Sequence, residues 1–255
     1  MVLIRDLSIY DTGVIPYGDY DGLIIRCFNG SVKDTKFELH KTGSIIAGKP
    51  WWPYAFFNFL YPVLPQVDAV INILRSDPGA LSVAWDVEEW GGHTYPGRDT
   101  LLANMRILHD EIFKEFGKPP QFYMNPATIH YLKPIPPWLT NCPLWIAHWG
   151  VNIPDFEPWS HWQFWQYRGE PDLNKFNGTD EEYWAYVGKP VPLPDKVKTT
   201  ATSLYVRKTP NGTCLGYVPL GTIFGVNGQA NDGNGKMWYK IGNAYVASWW
   251  VETIG

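Results

Sequence analysis

The sequence predicts an α/β protein: a modified, incomplete β/α barrel followed by a second, small all-β unit. Three observations carry this. Short apolar runs alternate with helix-period segments through about residue 135, the pattern of parallel β/α units. The early runs are apolar almost without interruption, as in a sheet buried on both faces. The composition then changes at Gly188-Lys189-Pro190-Val191-Pro192-Leu193-Pro194, and every signal beyond it is β.

Taken in order, Val2–Arg5 reads as a strand ending on Asp6. Leu23-Ile24-Ile25-Arg26-Cys27-Phe28 is a second strand, closed by Asn29-Gly30. Asp34 can cap a short helix running through His40, with Gly43 ending it. Tyr54-Ala55-Phe56-Phe57 is a third strand. Leu64, Val67, Ile71 and Leu74 then fall at helical spacing. The turn signal Ser76-Asp77-Pro78-Gly79 introduces the apolar run Leu81–Trp85, which reads as a buried strand.

That strand runs into the carboxylates Asp86, Glu88 and Glu89, residues that strands disfavour. Leu101, Met105, Leu108, Ile112 and Phe116 mark an amphipathic helix stopped by Gly117 and Pro119. Gln121–Met124 is the next strand, Ala127–Leu132 a short helix, and Leu144–Ala147 another strand. Trp162–Tyr167 is the last strand of this region and leads to Asp172. A complete eightfold barrel needs more helices than the final third offers, so the barrel is expected to be incomplete or modified.

These boundaries give residues 1–188 as the first domain, 189–199 as a stiff proline-rich linker and 200–255 as the second domain. The tail shows five short strands: Ser203–Arg207, Gly216–Val218, Thr222–Val226, Met237–Ile241 and Tyr245–Trp249. Asn-Gly and Gly-Asn turns separate them. So small a domain can fold alone but has little core.

Composition removes several classes of function. Hydrophobic residues at 45% supply a core, and charged residues at 18% are too few for long disordered tails. The net charge is −4 with a pI near 5.8, and no basic stripe appears, which argues against a nucleic-acid partner. Cys27, Cys142 and Cys214 are odd in number and far apart, so no disulfide framework is expected. The six histidines are scattered without metal-ligand spacing, so neither a metal nor another cofactor is expected. The charged N-terminus does not read as a signal peptide, and no apolar run is long enough for membrane insertion.

The chemistry-bearing pair is Asp86 and Glu88. Side chains alternate along a strand, so both point the same way, with Cα atoms roughly 6–7 Å apart. Carboxyl groups that close can couple, one holding a proton while the other stays ionised. Glycosidic bond cleavage needs such a pair. Seen alone, the two acids read equally well as solvated groups where a strand meets a loop. Asp6 and Asp172, also at strand ends, can be cap or loop acids; Arg26 can be a simple ion-pair partner.

Several pieces together resemble the glycoside hydrolase family 25 muramidases, the lysozymes of phage endolysins and bacterial autolysins. They are Asp6-Leu7-Ser8, Gly22-Leu23-Ile24-Ile25-Arg26, Asp34 with Phe37, and Asp86-Val87-Glu88. Phe122-Tyr123, Leu144-Trp145-Ile146-Ala147, Trp165-Gln166-Tyr167 and Asp172–Phe176 follow in the family's order. The resemblance implies a TIM-like barrel with fewer helices than the eightfold form. It also implies a groove with acids at Asp6, Asp86, Glu88 and Asp172, and sugar-binding rings at Tyr54, Tyr123, Trp145 and Tyr167. Where the family often has Tyr-His-Phe, this chain has Tyr54-Ala55-Phe56.

The tail resembles the bacterial SH3-like cell-wall module through Leu204-Tyr205-Val206-Arg207, Pro210, Gly221-Thr222, Trp238–Ile241 and Tyr245-Val246. Together the two resemblances imply a peptidoglycan hydrolase cutting the β-1,4 bond between N-acetylmuramic acid and N-acetylglucosamine. The implied setting is an endolysin made in the host bacterial cytoplasm without a signal peptide, acting on the wall after release. Substrate assistance by the sugar's acetamido group is implied too; an inverting water route is the alternative.

Two other classes compete. A thiol amidase or peptidase needs a cysteine with a partnered histidine, yet Cys27 lies in an apolar strand and Cys142 precedes a proline. The other is a catalytically silent wall-binding protein that keeps the barrel, against which the presence of all four acids argues. In the tail, Trp249 and Trp250 either face a ligand or pack against the first domain.

Overall fold

The computed structural model describes residues 2–75, 82–188, 193–232 and 236–254. The turn Ser76–Gly79 and Leu81 lie outside the described residues, as do 189–192 of the expected linker.

Eight strands close into a barrel: β1 (Leu3–Leu7), β2 (Gly22–Phe28), β3 (Trp51–Phe56), β4 (Ala84–Asp86), β5 (Gln121–Met124), β6 (Leu144–Ala147), β7 (Phe164–Arg168) and β8 (Leu173–Phe176). The strand ring is complete, so the departure from the eightfold form lies in the helices, as expected, and not in the strands. Among the described residues no helix directly follows β6 or β7. β1 to β7 run parallel, but β8 is antiparallel to both β7 and β1. A short reversal replaces the last helical crossover, since antiparallel neighbours need only a tight turn. β8 was missed because Leu173-Asn174-Lys175-Phe176 has too little apolar character to read as a buried strand.

Helices α1 (Phe37–Ile46), α2 (Val63–Arg75), α3 (Arg98–Phe116), α4 (Pro126–Tyr131) and α5 (Pro137–Thr140) follow β2 to β5. Asp34 does not cap α1. Its carboxylate accepts the Arg26 Nε–H at 2.8 Å and the backbone N–H groups of Ile9 and Lys36, tying the β1 and β2 loops together. α1 also continues through Gly43 to Ile46. α3 ends as expected on Gly117, at φ 69°, where glycine carries no Cβ penalty.

A sixth helix, α6 (Asp180–Val187), closes a capping box between Thr179 and Glu182. It plugs the bottom of the barrel. Tyr183 and Val187 join Ile4, Ile24, Trp52, Phe164 and Phe176 in the interior cluster. A larger cluster, including Leu23, Ile25, Val67, Trp85, Leu108, Phe122 and Ile146, fills the space between barrel and helices. Strands buried on both faces build both clusters at once.

The tail has more strands than expected. β9 (Lys196–Thr199), β10 (Ser203–Arg207), β11 (Cys214–Pro219), β12 (Ile223–Gly225), β13 (Gly228–Asn231), β14 (Met237–Ile241), β15 (Ala244–Ala247) and β16 (Val251–Ile254) form two sheets, ordered β11-β10-β15-β14-β13 and β12-β9-β16. Residues 196–199, expected in the linker, are thus a sheet strand with Val197 fully buried. Alternating lysines in Lys196-Val197-Lys198-Thr199 hide it from an apolar-run search. The core is small: Leu204, Trp238, Val246 and Ala247.

Candidate active site

In a barrel strand, alternate residues face inward. The inward set includes Ile4 and Asp6 of β1, Ile24 and Arg26 of β2, Tyr54 and Phe56 of β3, and Ala84 and Asp86 of β4. Tyr123, Trp145 and Gln166 continue it on β5, β6 and β7. Towards the N-terminal end these positions are apolar and pack as core. Towards the C-terminal end they turn polar and open into a groove of about 440 Å³.

Asp6, Asp86, Glu88 and Asp172 all line that groove. Asp172 reaches it because β8 is antiparallel, so the residue before its start lies at the C-terminal ends of the other strands. The backbone N–H of Asp6 donates to the Asp172 carbonyl at 3.3 Å. Another cavity, about 460 Å³ between α1 and the tail, includes Lys33, Lys41, Lys240 and one acid, Glu38. It holds no acid pair, whereas the groove holds four acids.

The groove's electrostatics come from crowding like charges in a poorly solvated site. Burial first, then the Asp172 carboxylate, pushes Asp6 up to about 7, against two amide donors that favour its charge. Burial and then Glu88 hold Asp86 well above the ordinary carboxylate range, with Arg26 pulling the other way. Glu88 is raised by burial and by Asp172, and Asp172 by burial and by Asp11. Asp86 lies deepest of the first pair, and its Oδ1 has no hydrogen-bond partner among the described residues. Glu88 is only partly buried and faces the open groove.

The aromatic residues divide. Tyr54, Tyr123 and Trp145 line the groove floor, Tyr54 and Tyr123 meeting Trp145 edge-on at 5.7 and 4.6 Å. Tyr167 does not reach it. On β7 it is Gln166 that faces inward, so Tyr167 points out, against Trp165 and under the Lys175 ammonium at 4.5 Å. The family pattern Trp165-Gln166-Tyr167 therefore contributes its middle residue. The rings that stand open are Tyr10 and Trp149, 80% and 56% exposed, on the loops after β1 and β6.

Sequence reasoning missed Gln166, Asn174, Tyr10 and Trp149. Strand parity pointed the other way: Trp165 and Tyr167 make the wholly aromatic face of β7, whereas Gln166 shares its face with Phe164 and Arg168. Asn174, fully buried, donates to Asp6 Oδ2 at 2.7 Å, and Gln166 donates to the same oxygen at 3.1 Å. Burial pushes the Cys27 thiol far above its usual range and Cys142 up to about 12, so neither is a ready thiolate.

Comparison with known proteins agrees with this geometry. A curated Escherichia coli O157:H7 protein, the uncharacterized YegX, is 32% identical over 143 residues, which is 52% of this chain and 50% of that protein. The chain thus spans about half the length of the curated relative it matches. The family 25 lysozyme of Aspergillus fumigatus superposes with a TM-score of 0.65 at 19% identity, over 73% of this chain and 98% of that one. The Clostridium perfringens spore cortex lytic enzyme SleM superposes at 0.63 with 16% identity, over 96% and 97%, so the likeness of fold extends into the tail. The sequence pattern of the glycosyl hydrolases family 25 matches residues 19–175. With more than half its length inside that pattern and its acids gathered at the mouth of the barrel, the chain belongs to glycosyl hydrolase family 25.

Proposed function

We propose that the protein is a muramidase that cuts the β-1,4 bond between N-acetylmuramic acid and N-acetylglucosamine in peptidoglycan, with Glu88 as general acid. The observation that carries the reading is the gathering of four mutually repelling carboxyl groups around one groove. Such a site raises carboxyl groups towards neutral pH, the direction a general acid requires. Glu88 stands where a glycosidic oxygen can reach it, and Asp86 sits beneath. Asp86 can orient the acetamido group of the sugar or a water.

The tail, residues 200–255, would hold the enzyme on the wall as an SH3-like module. A groove of about 590 Å³ lies wholly within the tail, and Tyr205, Trp238, Trp249 and Trp250 are among its walls. Trp249 and Trp250 are half-exposed there, which favours a ligand over packing against the barrel. The biological role that fits is a phage endolysin, made in the host cytoplasm and reaching the wall after release.

The test is a turbidity assay on purified cell walls with analysis of the released ends. New reducing sugar is expected, and Glu88→Gln should lower its rate by about 10²-fold or more while leaving the fold intact. New amino groups would mean an amidase or peptidase. Clearing of neither kind, with binding retained, would mean a silent wall-binding protein.

A further inference from the structure

Asp6 is the most elaborately held of the four acids. Its Oδ2 accepts one N–H from Asn174 Nδ2 at 2.7 Å and one from Gln166 Nε2 at 3.1 Å. Neither amide is free to turn over. Asn174 Oδ1 accepts the Trp145 indole N–H at 2.7 Å. Gln166 Oε1 accepts the Tyr123 hydroxyl at 2.9 Å and the Trp149 indole N–H at 3.0 Å. An indole nitrogen only donates, so the atom facing each indole must be the amide oxygen. The atom facing Asp6 must then be the NH₂.

We propose that Gln166 and Asn174 are positioning residues that make Asp6 Oδ2 an obligate acceptor, so that any proton Asp6 carries sits on Oδ1. A proton on Oδ2 would point a third donor at two N–H groups. The orientation is enforced from outside the carboxylate, by two indoles and a phenol. One of those indoles, Trp149, stands half-exposed at the groove rim, so the relay links the rim to the buried acid.

The groups facing Asp6 fix the sign of the test. Asp172 comes from the loop before β8, Asp11 from the loop after β1, Asp86 from β4, and Tyr54 and Tyr123 from β3 and β5. The cations nearby are committed elsewhere: Arg5 pairs with Asp11 and Arg26 with Asp34. Within hydrogen-bond reach, the two amides are what favours the charged form. Removing either donor must therefore raise the pH at which Asp6 titrates.

The experiment is a ¹³C-carboxyl NMR titration of the full chain, with Asp6 assigned through Asp6→Asn. Gln166→Met and Asn174→Leu keep side-chain volume and remove one donor each. An upward shift of about one pH unit or more is expected in each. An unchanged Asp6 titration in either folded variant overturns the proposal. Should neither fold, Trp149→Phe decides, since it alters only a rim indole; the same sign is expected, and no shift overturns the proposal. The inference builds on the muramidase reading, but the titration needs no activity. A parent enzyme that releases no reducing sugar would defeat that reading and leave this test standing. On soluble glycan fragments, the limb of the kcat–pH profile should move with the NMR titration. A uniform loss at every pH with an unmoved limb would mean packing alone and overturn the positioning role.

Discussion

At the residue scale, the groove acids trade stability for chemistry. Asp6 is raised from 3.8 to about 7 in the folded chain. The fold therefore binds its proton more tightly than the unfolded chain does. The stability this gives is fully present below the unfolded value and is lost as pH rises through the folded one. Asp86, Glu88 and Asp172 are shifted in the same direction and add to the slope. Asp6→Asn should therefore raise the melting temperature at about pH 8 and do much less at about pH 4. Thermal melts across that range check it; equal gains at both ends would show that the carboxylate's charge is not what costs stability. The pairing of Asp86 with Glu88 was legible in the sequence, because alternation along a strand needs no tertiary information. The depth ordering within the pair was not, since burial depends on which loops roof the groove.

At the element scale, the start of β2 and the plug helix α6 constrain each other. A Cβ built on Gly22 would lie 1.6 Å from the Tyr183 hydroxyl and 2.7 Å from its ring carbon. Tyr183 is 2% exposed and has no room to swing aside. Gly22→Ala should cost about 1–3 kcal/mol, the range for overpacking a filled core. Adding Tyr183→Phe removes the closest clashing atom and should recover part of that loss. Denaturant titrations of the single and double variants measure it; additive losses would place the clash elsewhere. Gly22 was visible in the sequence as part of a family pattern, but its reason was not, because α6 and β8 were both missed. Likewise Tyr167 could not be told from Gln166 by pattern. The Trp165 and Tyr167 face of β7 is the more aromatic one, yet it packs outside the barrel, so parity points away from Gln166.

At the scale of the whole molecule, the barrel and the tail carry separate cores and separate grooves. The tail's groove residues make no part of the barrel's groove, so the proposed tethering would raise the enzyme's local concentration on the wall without touching the chemistry. Cutting the chain near Pro192 should leave residues 1–188 active on soluble glycan fragments and weaker on intact walls. The separated tail should sediment with walls. A folded tail that stays in the supernatant with walls from every susceptible strain would remove the proposed targeting role.

The sequence by itself determined the alternation of strands and helices through the first half, the β character of the tail, and the strand-end placement of Asp6, Asp86 and Glu88. Those features are local: they follow from periodicity, turn chemistry and the two-residue repeat of a strand. Only the tertiary structure decided that the barrel closes, because closure depends on polar β8 pairing antiparallel with strands at both ends of the sheet. Closure also decided which face of each strand looks inward, and so put Gln166 and Asn174 on Asp6 and sent Tyr167 outside. The physical reason is the same in each case. Polar residues inside a closed barrel are stabilised by partners far away in the chain, and no local pattern records them.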